Sequence, residues 1–593
     1  MAQDGARPVL EAVPHWPRGV RPRLTVSAGH CSRAGAKPDN QDCRGLVVPE
    51  GAALASKGIA AAIADGISTS SLGGEASRAA TRTFLADYYC TSDGWSVRSA
   101  ATSVIAAINS KMHARNGRPL SDEERERGLI CTFSALVLKS RSAHLFHVGD
   151  ARIARLRGGI IEPLTAPHVV AVGGGRSYLG RALGIDRHVE IDYRHVALEP
   201  GDLFVLTTDG LHDHLQDAAI AALLTAANDL QAAAEALATG AADAGSEDDL
   251  TVQLIRVDEL PEGGVDDVLG SEITLPPAPL LTPGSDFEGY HILRQIHAGA
   301  RSHVYLASDP QTGRRVALKV PSTEHGADPA QLRALLLEEW IARRIDHPHV
   351  ARAAPQPRNR SHVFAASDYI DGQTLAQWMR DHPAPDLTAV RSLIGQIAAG
   401  LLAFHKLEML HRDLRPQNIL VDAEGTARII DFGSVQVAGL DELSLVAEED
   451  SAFAGTMQYG APELYLGLPA SPASDLFSLG IIAYQLLTGH LPYGPRVAAA
   501  RSRAAQRRLY YTPASEHNPA VPDWVDAAIA KAVAIDPAGR YELLSEFTYD
   551  LSHPNPALAG ADTRPLFQRN PVLAWKALSA ILFALLLVSV FVR

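Results

Sequence analysis

Three side chains in the second half of the sequence have the types and order that phosphoryl transfer requires: Asp413, Asn418 and Asp431. An attacking hydroxyl needs a carboxylate to orient it and take its proton. An amide and a second carboxylate must hold Mg²⁺ on the nucleotide phosphates. Asp413 and Asn418 lie in His411-Arg412-Asp413-Leu414-Arg415-Pro416-Gln417-Asn418, and Asp431 opens Asp431-Phe432-Gly433. A second set of carboxylates runs through residues 1–260: Asp65-Gly66, Gly149-Asp150, Asp209-Gly210 and Asp248-Asp249, with Asn40-Gln41-Asp42 upstream. Each of these adjoins a strand-like run. Strand-end carboxylates can converge on one sheet edge, and carboxylates with few His or Cys suit Mg²⁺ or Mn²⁺. A lone Asp-Gly is an ordinary turn; the ordered series is what points to a site.

The elements that must position these groups are legible as periodicities. In the first half Gly58–Ala64 reads as a buried strand, Phe133–Leu138 and His144–Val148 as paired strands, and Asp202–Leu206 and Leu250–Ile255 as two more. Ala76–Asp87, Ala100–His113 and Ala219–Leu237 read as helices. In the second half Tyr290–Ile296 and His303–Ser308 flank a turn, Leu332–Ile345 is an amphipathic helix, and Phe364–Ala366 is a strand. Val390–His405 carries apolar residues at helical spacing and delivers the chain to Asp413. Between the halves, Pro261–Ser285 is broken repeatedly by Pro and Gly and has no sustained period. It reads as a semi-extended spacer, although a tail of either domain could pack on its partner.

A chain of 593 residues is too long for one core, and 46% hydrophobic with 20% charged residues is globular. A net charge of −13 argues against nucleic acid as the main partner. The four cysteines, Cys31, Cys43, Cys90 and Cys131, show no metal-site spacing and suit a reducing compartment. Met1 to Arg23 is polar and Pro-rich, without a signal-peptide pattern.

The second half resembles eukaryotic-type Ser/Thr protein kinases, on the catalytic and metal loops quoted above and on Val316-Ala317-Leu318-Lys319. The resemblance implies a bilobal fold over 287–552, with ATP and Mg²⁺ as cofactors. Asp413 would be the base, and Asn418 and Asp431 would hold metal. Lys319 would grip the α- and β-phosphates, and Arg415 would neutralise the transferring phosphate. Glu338 would pair with Lys319, with Glu339 as the alternative. Gly299, Val304, Ala317 and the backbone of Asp368 and Ile370 would surround the nucleotide, with Ser367 as gatekeeper. Two of the family's three loop glycines are replaced, by His297 and Ser302. Glu463 would pair with Arg540, and Asp475 would brace the catalytic loop. Ser444, Ser451 and Thr456 are candidate phosphosites, and Glu442, Glu448, Glu449 and Asp450 could stand in for a phosphate facing Arg412.

The first half resembles the metal-dependent protein phosphatases of type 2C over 22–256. Here the motifs read Lys37…Asn40-Gln41-Asp42, Asp65-Gly66, Cys131-Thr132-Phe133, Gly149-Asp150-Ala151-Arg152, Thr208-Asp209-Gly210 and Asp248-Asp249. The resemblance implies an α-β-β-α sandwich with two or three Mn²⁺ or Mg²⁺ ions. Asp65, the Gly66 carbonyl, Asp209 and Asp248 would be ligands, Asp42 would act directly or through water, and Asp150 would join a third ion. Lys37 stands where the family places a phosphate-binding Arg, which keeps the charge but loses the bidentate fork. Ser68-Thr69-Ser70 replaces Gly-Gly-His.

The expected whole is a multidomain α+β chain with linker 257–286, a juxtamembrane stretch 553–571 and one C-terminal transmembrane helix, 572–592. The uncharged run Ala577–Val592 spans about 24 Å as a helix, short of a roughly 30 Å hydrocarbon core, and Pro571–Lys576 extends it. Trp575 suits the interface and Arg564 and Arg569 a cytoplasmic side. Expected partners are proteins presenting Ser or Thr, the membrane, and optionally a second copy in a homodimer, with both catalytic domains facing the cytoplasm.

Overall fold

The computed structural model describes residues 22–558 except 38, 68–69, 118–127, 173–175, 228, 323–327, 356–359 and 444–457. Beyond 558 it describes only 575–576 and 578–579. The candidate phosphosites Ser444, Ser451 and Thr456, and almost all of 572–592, therefore lie outside the described residues.

The first half is a four-layer sandwich. One sheet has the order β1-β12-β11-β6-β7 and the other β10-β5-β4-β3-β2. Their strands are β1 (Thr25–Arg33), β2 (Asp42–Val47), β3 (Ile59–Asp65), β4 (Phe133–Lys139), β5 (Ser142–Val148), β6 (Arg152–Arg157), β7 (Ile160–Pro163), β10 (Asp192–Ala197), β11 (Leu203–Thr207) and β12 (Leu250–Glu259). Strand alternation sorts β3 between two cores. Ile59, Ala61 and Ile63 meet Phe204, Leu206, Ile255 and Val257 of the facing sheet. Ala60, Ala62 and Ala64 meet Phe84, Tyr88, Val104 and Ile105 of helices α2 (Gly73–Asp87) and α3 (Val97–Asn116) and the turn between them. Small Ala on that face lets the two helices lie close. A short α1 (Gly51–Lys57) precedes β3. The opposite outer layer is α4 (Asp217–Ala226) and α5 (Leu230–Asp243), where Ala234 and Leu237 pack on Val205 and Val252. The single helix expected over Ala219–Leu237 is thus two. Asp229 ends the first by capping the second, accepting from Gln231 N and Ala232 N.

The second half is bilobal. Its small lobe is the sheet β13-β14-β15-β16-β17, with β13 (Asp286–Phe287), β14 (Tyr290–Ala298), β15 (Ser302–Ser308), β16 (Arg315–Pro321) and β17 (Ala365–Asp368). The large lobe is helical around α8 (Leu387–Lys406), whose Val390, Leu393, Ile394, Ile397, Leu401 and Phe404 are buried. That stripe is core. Among the described residues α8 is also the helix long and apolar enough to cross a membrane; it lies inside the lobe, and the span expected at 572–592 falls almost wholly outside the described residues.

The linker departs most from expectation. Far from an extended spacer, it forms α6 (Asp266–Leu269) and a 3₁₀ turn, Gly270–Thr274. Leu269 joins one core with Leu332, Leu335 and Leu336 of α7 (Pro329–Ala342). Arg333 makes a two-pronged bond to Asp266, at 2.7 and 2.9 Å. Arg360 bridges Glu272 (3.1 Å) and Glu339 (2.6 Å). Val265, Val268, Ile273 and Leu275 add partly buried apolar surface. Short helical turns interrupted by glycine carry no long-range period, so this burial was invisible to pattern.

Candidate functional site

In the second half the strand register carries Lys319 to its partners. β15 and β16 pair Val304 with Lys319, and β16 and β17 pair Ala317 with Ser367. Lys319 Nζ lies 2.7 Å from Glu338 and 3.1 Å from Asp431. Glu339, the alternative, turns the other way to Arg343 and Arg360. Burial pulls Lys319 down, but the two carboxylate charges win and its pKa is raised. Burial opposes Asp431 too, yet Lys319 holds it below the ordinary range. Burial leaves Glu338 raised despite Lys319. The short approach of opposite charges argues for an ionised trio.

The catalytic loop is fixed from beneath. Asp475, on α9 (Pro472–Thr488), accepts from His411 N and Arg412 N, each at 2.9 Å, and from His405 Nε2 at 2.9 Å. Arg412 and Asp431 both hold left-handed φ, +64° and +67°, costly for non-glycine residues. The Asp475 clamp over-determines the first. Asn418 Nδ2 donates to Asp413 O (2.9 Å) and Oδ2 (3.2 Å), and Arg415 Nε sits 3.7 Å from Asp413. The expected Glu463–Arg540 pair is present and buried, at 2.8 and 2.7 Å. Asp368 N and Tyr369 N donate outward to Arg352 O and Arg315 O, which fixes the chain on either side of the adenine-side backbone. The turn with depleted glycines is tied down instead: Ser322 binds Ala300 O and Arg301 O, and Gly299 N donates to Ser302 O. One expectation fails. Glu442 does not face Arg412; its carboxylate accepts from Val97 N and from Lys139 of the first half.

In the first half, Asp42 and Asp65 are opposite partners in the β2–β3 ladder. Asp150 follows β5, Asp209 follows β11, and Asp248 precedes β12, all at one end of the two sheets. Gly66 is required there, because a Cβ would lie 2.2 Å from the Gly73 backbone. Asp42 is buried, which pushes its pKa up to about 7 against hydrogen bonds from Thr251 and Thr208. Burial, then the charges of Asp42 and Asp209, raise Asp65 well above its ordinary value. Burial and Asp209 push Asp150 up to about 6. Burial and Asp248 raise Asp209.

Buried carboxylates that repel one another are a donor set for hard cations. Asp42 Oδ1 and Asp150 Oδ1 are buried without a hydrogen-bond partner, so the residues fit the expected ions. The cage is not closed: among the described residues no three such side chains surround one point. Lys37 explains part of this, since its ammonium bonds Asp248 at 2.8 Å instead of waiting for a phosphate. Burial pulls Lys37 down, but Asp248 raises its pKa overall. Asp249, which the sequence analysis did not single out, anchors the rim by accepting from Gly35 N (3.0 Å) and Gln41 N (2.8 Å). Its only signal was adjacency to Asp248.

Comparisons agree with the two halves. Residues 290–548 match the Protein kinase domain family and residues 33–249 match Protein phosphatase 2C. The chain is similar to the serine/threonine-protein kinase PrkC of Bacillus subtilis, 30% identical over 263 residues, covering 44% of this chain and 40% of that protein. It is also similar to PknL of Mycobacterium tuberculosis, 31% identical over 253 residues, covering 42% of this chain and 62% of PknL. The match thus spans less than two thirds of either relative. Among solved structures, the PknI kinase domain of M. tuberculosis aligns at 25% identity and TM-score 0.36, covering 47% of this chain and all of that one. The S. agalactiae serine/threonine phosphatase aligns at 24% and 0.34, covering 40% of this chain and all of that one.

Proposed function

Since the chain carries a Ser/Thr protein kinase domain and a protein phosphatase 2C domain, we propose that it is a bifunctional enzyme that adds phosphate to protein Ser/Thr from ATP and also removes it. The observation that carries the kinase reading is the Lys319–Glu338 pair closed beside Asp431, an arrangement on which kinase catalysis depends. Lys319 orients the α- and β-phosphates. Asp413 takes the substrate hydroxyl proton, held by Asn418, while Arg415 offsets charge on the transferring phosphate. Asn418 and Asp431 hold Mg²⁺, which supplies charge neutralisation on the phosphates.

In the phosphatase half, Asp65, Asp209 and Asp248 hold the divalent ions, Mn²⁺ or Mg²⁺, with Asp42, Asp150 and the Gly66 carbonyl supporting them. The chemistry such ions supply is acidification of water for in-line attack. Lys37, held by Asp248 at 2.8 Å, is the cation that would meet the substrate phosphate beside the ions. The C-terminal run 572–592 tethers the protein to the cytoplasmic membrane, and the two activities oppose one another in signalling.

A second reading is supported by the Lys37–Asp248 bond and the unclosed cage: a catalytically weak phosphatase half that binds phosphorylated partners. The two separate on one measurement. Full-length protein incubated with Mn²⁺ and a phosphopeptide releases phosphate under the first reading, and the Asp209→Asn form does not. Retention of phosphopeptide without release selects the second. Mass-spectrometric phosphosite mapping on wild type and Asp413→Asn tests the kinase reading, since sites that persist in the variant would refute it.

A further inference from the structure

The phosphatase domain and linker grip two parts of the kinase, and they do so at the end of the sandwich away from the metal edge. β4 runs from Phe133, beside the Asp65 end, to Lys139, about 20 Å along. At that far pole the Lys139 side chain is 1% exposed. Its ammonium donates to Gly439 O (2.6 Å) and meets Glu442 at 3.3 Å. Glu442 also receives Val97 N at 3.0 Å, so a kinase carboxylate sits on the N-terminus of α3, where the helix dipole favours an anion. Ser96 N donates to Glu408 (3.0 Å), and Trp95 Nε1 to Lys406 O (2.8 Å). Gly439 N donates to Gly94 O at 2.9 Å. The backbones touch there: a Cβ on Gly439 would lie 2.7 Å from Trp95 O, and one on Gly94 would lie 2.6 Å from Leu407 O.

The gripped kinase stretch is consequential. Residues 438–443 follow β22 (Gln436–Val437), which pairs with β19 (Met409–Leu410) immediately before His411. The same stretch begins the activation segment after Asp431-Phe432-Gly433. Leu443 O accepts from Gly264 N at 3.0 Å, and from there the linker passes directly to α7, the helix that carries Glu338. Just past the other end of α7, Arg344 bonds Asp93 of the phosphatase domain at 2.9 Å. One body therefore holds both ends of the Glu338 helix and the start of the activation segment, while Lys319 and Glu338 are closed.

We propose that the phosphatase domain, through residues 93–97 and Lys139 together with linker residues 264–274, is a built-in docking partner that keeps the kinase in its phosphoryl-transfer arrangement. This role is separate from phosphate hydrolysis. It rests on the kinase reading above and not on the phosphatase reading. Kinases commonly fix the same two elements by phosphorylating the activation segment; here the contact is covalently supplied by the neighbouring domain.

The test uses full-length protein with Asp209→Asn throughout, so that hydrolysis cannot hide phosphoryl transfer. Gly94→Val wedges the backbone contact, Lys139→Met removes the buried ammonium, and Asp93→Ala releases Arg344 without adding bulk. None replaces a kinase residue. Phosphorylation of a generic basic substrate protein is measured together with hydrogen exchange of α7 and residues 436–443. The expected result is a fall in kcat of at least fivefold in each variant, with faster exchange in both kinase segments. Unchanged turnover in Asp93→Ala and Lys139→Met overturns the proposal, and so does a rise, which would make the contact a brake. A kcat fall in Gly94→Val with no change in exchange at α7 also overturns it. Absence of Asp413-dependent transfer in the parent refutes the kinase reading, and the proposal with it.

Discussion

Asp413 and Asn418 form the smallest unit whose removal is informative. Asp413→Asn keeps the size of the side chain and the Asn418 bond to the Asp413 carbonyl but removes the base. A fall in kcat of roughly 10²–10⁴-fold with the KM for ATP little changed is expected from steady-state kinetics. Gly66→Ala has a different basis. The added methyl would press on the Gly73 backbone at 2.2 Å, which backbone cannot evade as a side chain can. A stability loss of about 1–3 kcal/mol in denaturant titration is expected, together with weaker Mn²⁺ binding. His147 reports on acid. Burial, then the neighbouring His168 charge, pushes its pKa down to about 4. Burial outweighs the Ala166 carbonyl, which favours the charged ring, and both nitrogens of the neutral ring are hydrogen-bonded, to Ser134 Oγ and Ala166 O. The unfolded chain takes up that proton near pH 6.5. Stability is therefore lost as pH falls through 6.5, levelling near 4, by on the order of 3 kcal/mol. Denaturation of wild type and His147→Gln at pH 7 and pH 4.5 should show the smaller loss in the variant. At this scale the sequence was informative where chemistry imposes a residue type. Glu338 was picked out by the kinase resemblance with Glu339 as the alternative, and the geometry separates the two. Glu442 was misjudged, because its partners Val97 N and Lys139 lie more than 300 positions away.

Elements were legible in proportion to their length and regularity. The unbroken apolar run Ile59–Ala64 marked a strand buried on both faces, and the stripe of α8 carried enough repeats to fix both type and buried face. Ala219–Leu237 misled because Ala-rich sequence suits helix throughout, and only the Asp229 cap marks the break. Linker residues Val265–Leu275 were illegible because their apolar side chains gain burial from elements far away in sequence, α1 and α7 among them. Some ties between elements depend on a single pair. Glu463 and Arg540 join the segment after the activation loop to the turn preceding the final kinase helix, and both side chains are nearly sealed from solvent. Arg540→Met strands a buried carboxylate, so a loss of about 3–5 kcal/mol in equilibrium unfolding is expected. Glu463→Gln with Arg540→Met should recover part of it, because the uncompensated charge is gone.

For the whole molecule, the halves are joined through the buried Lys139 ammonium and backbone hydrogen bonds around residues 94–97, which predicts coupled unfolding. Scanning calorimetry of the wild type should give one transition. Gly94→Val, which separates Gly94 from Leu407 O, should divide it in two, with the kinase half melting first. The linker has a consequence for how such a chain can be cut and recombined. By sequence the seam between modules falls at 257–286. By contact, α6 and the turn after it pack on the kinase, since Leu269 is built into the kinase core and Asp266 and Glu272 answer Arg333 and Arg360. A chimera joined after Glu259 carries the kinase with this flank but without the contacts of residues 93–97 and Lys139, whereas one joined at Ser285 also leaves an apolar scar on α7 and a loose apolar tail on the donor. The interchangeable part of this chain is longer than its family boundary suggests.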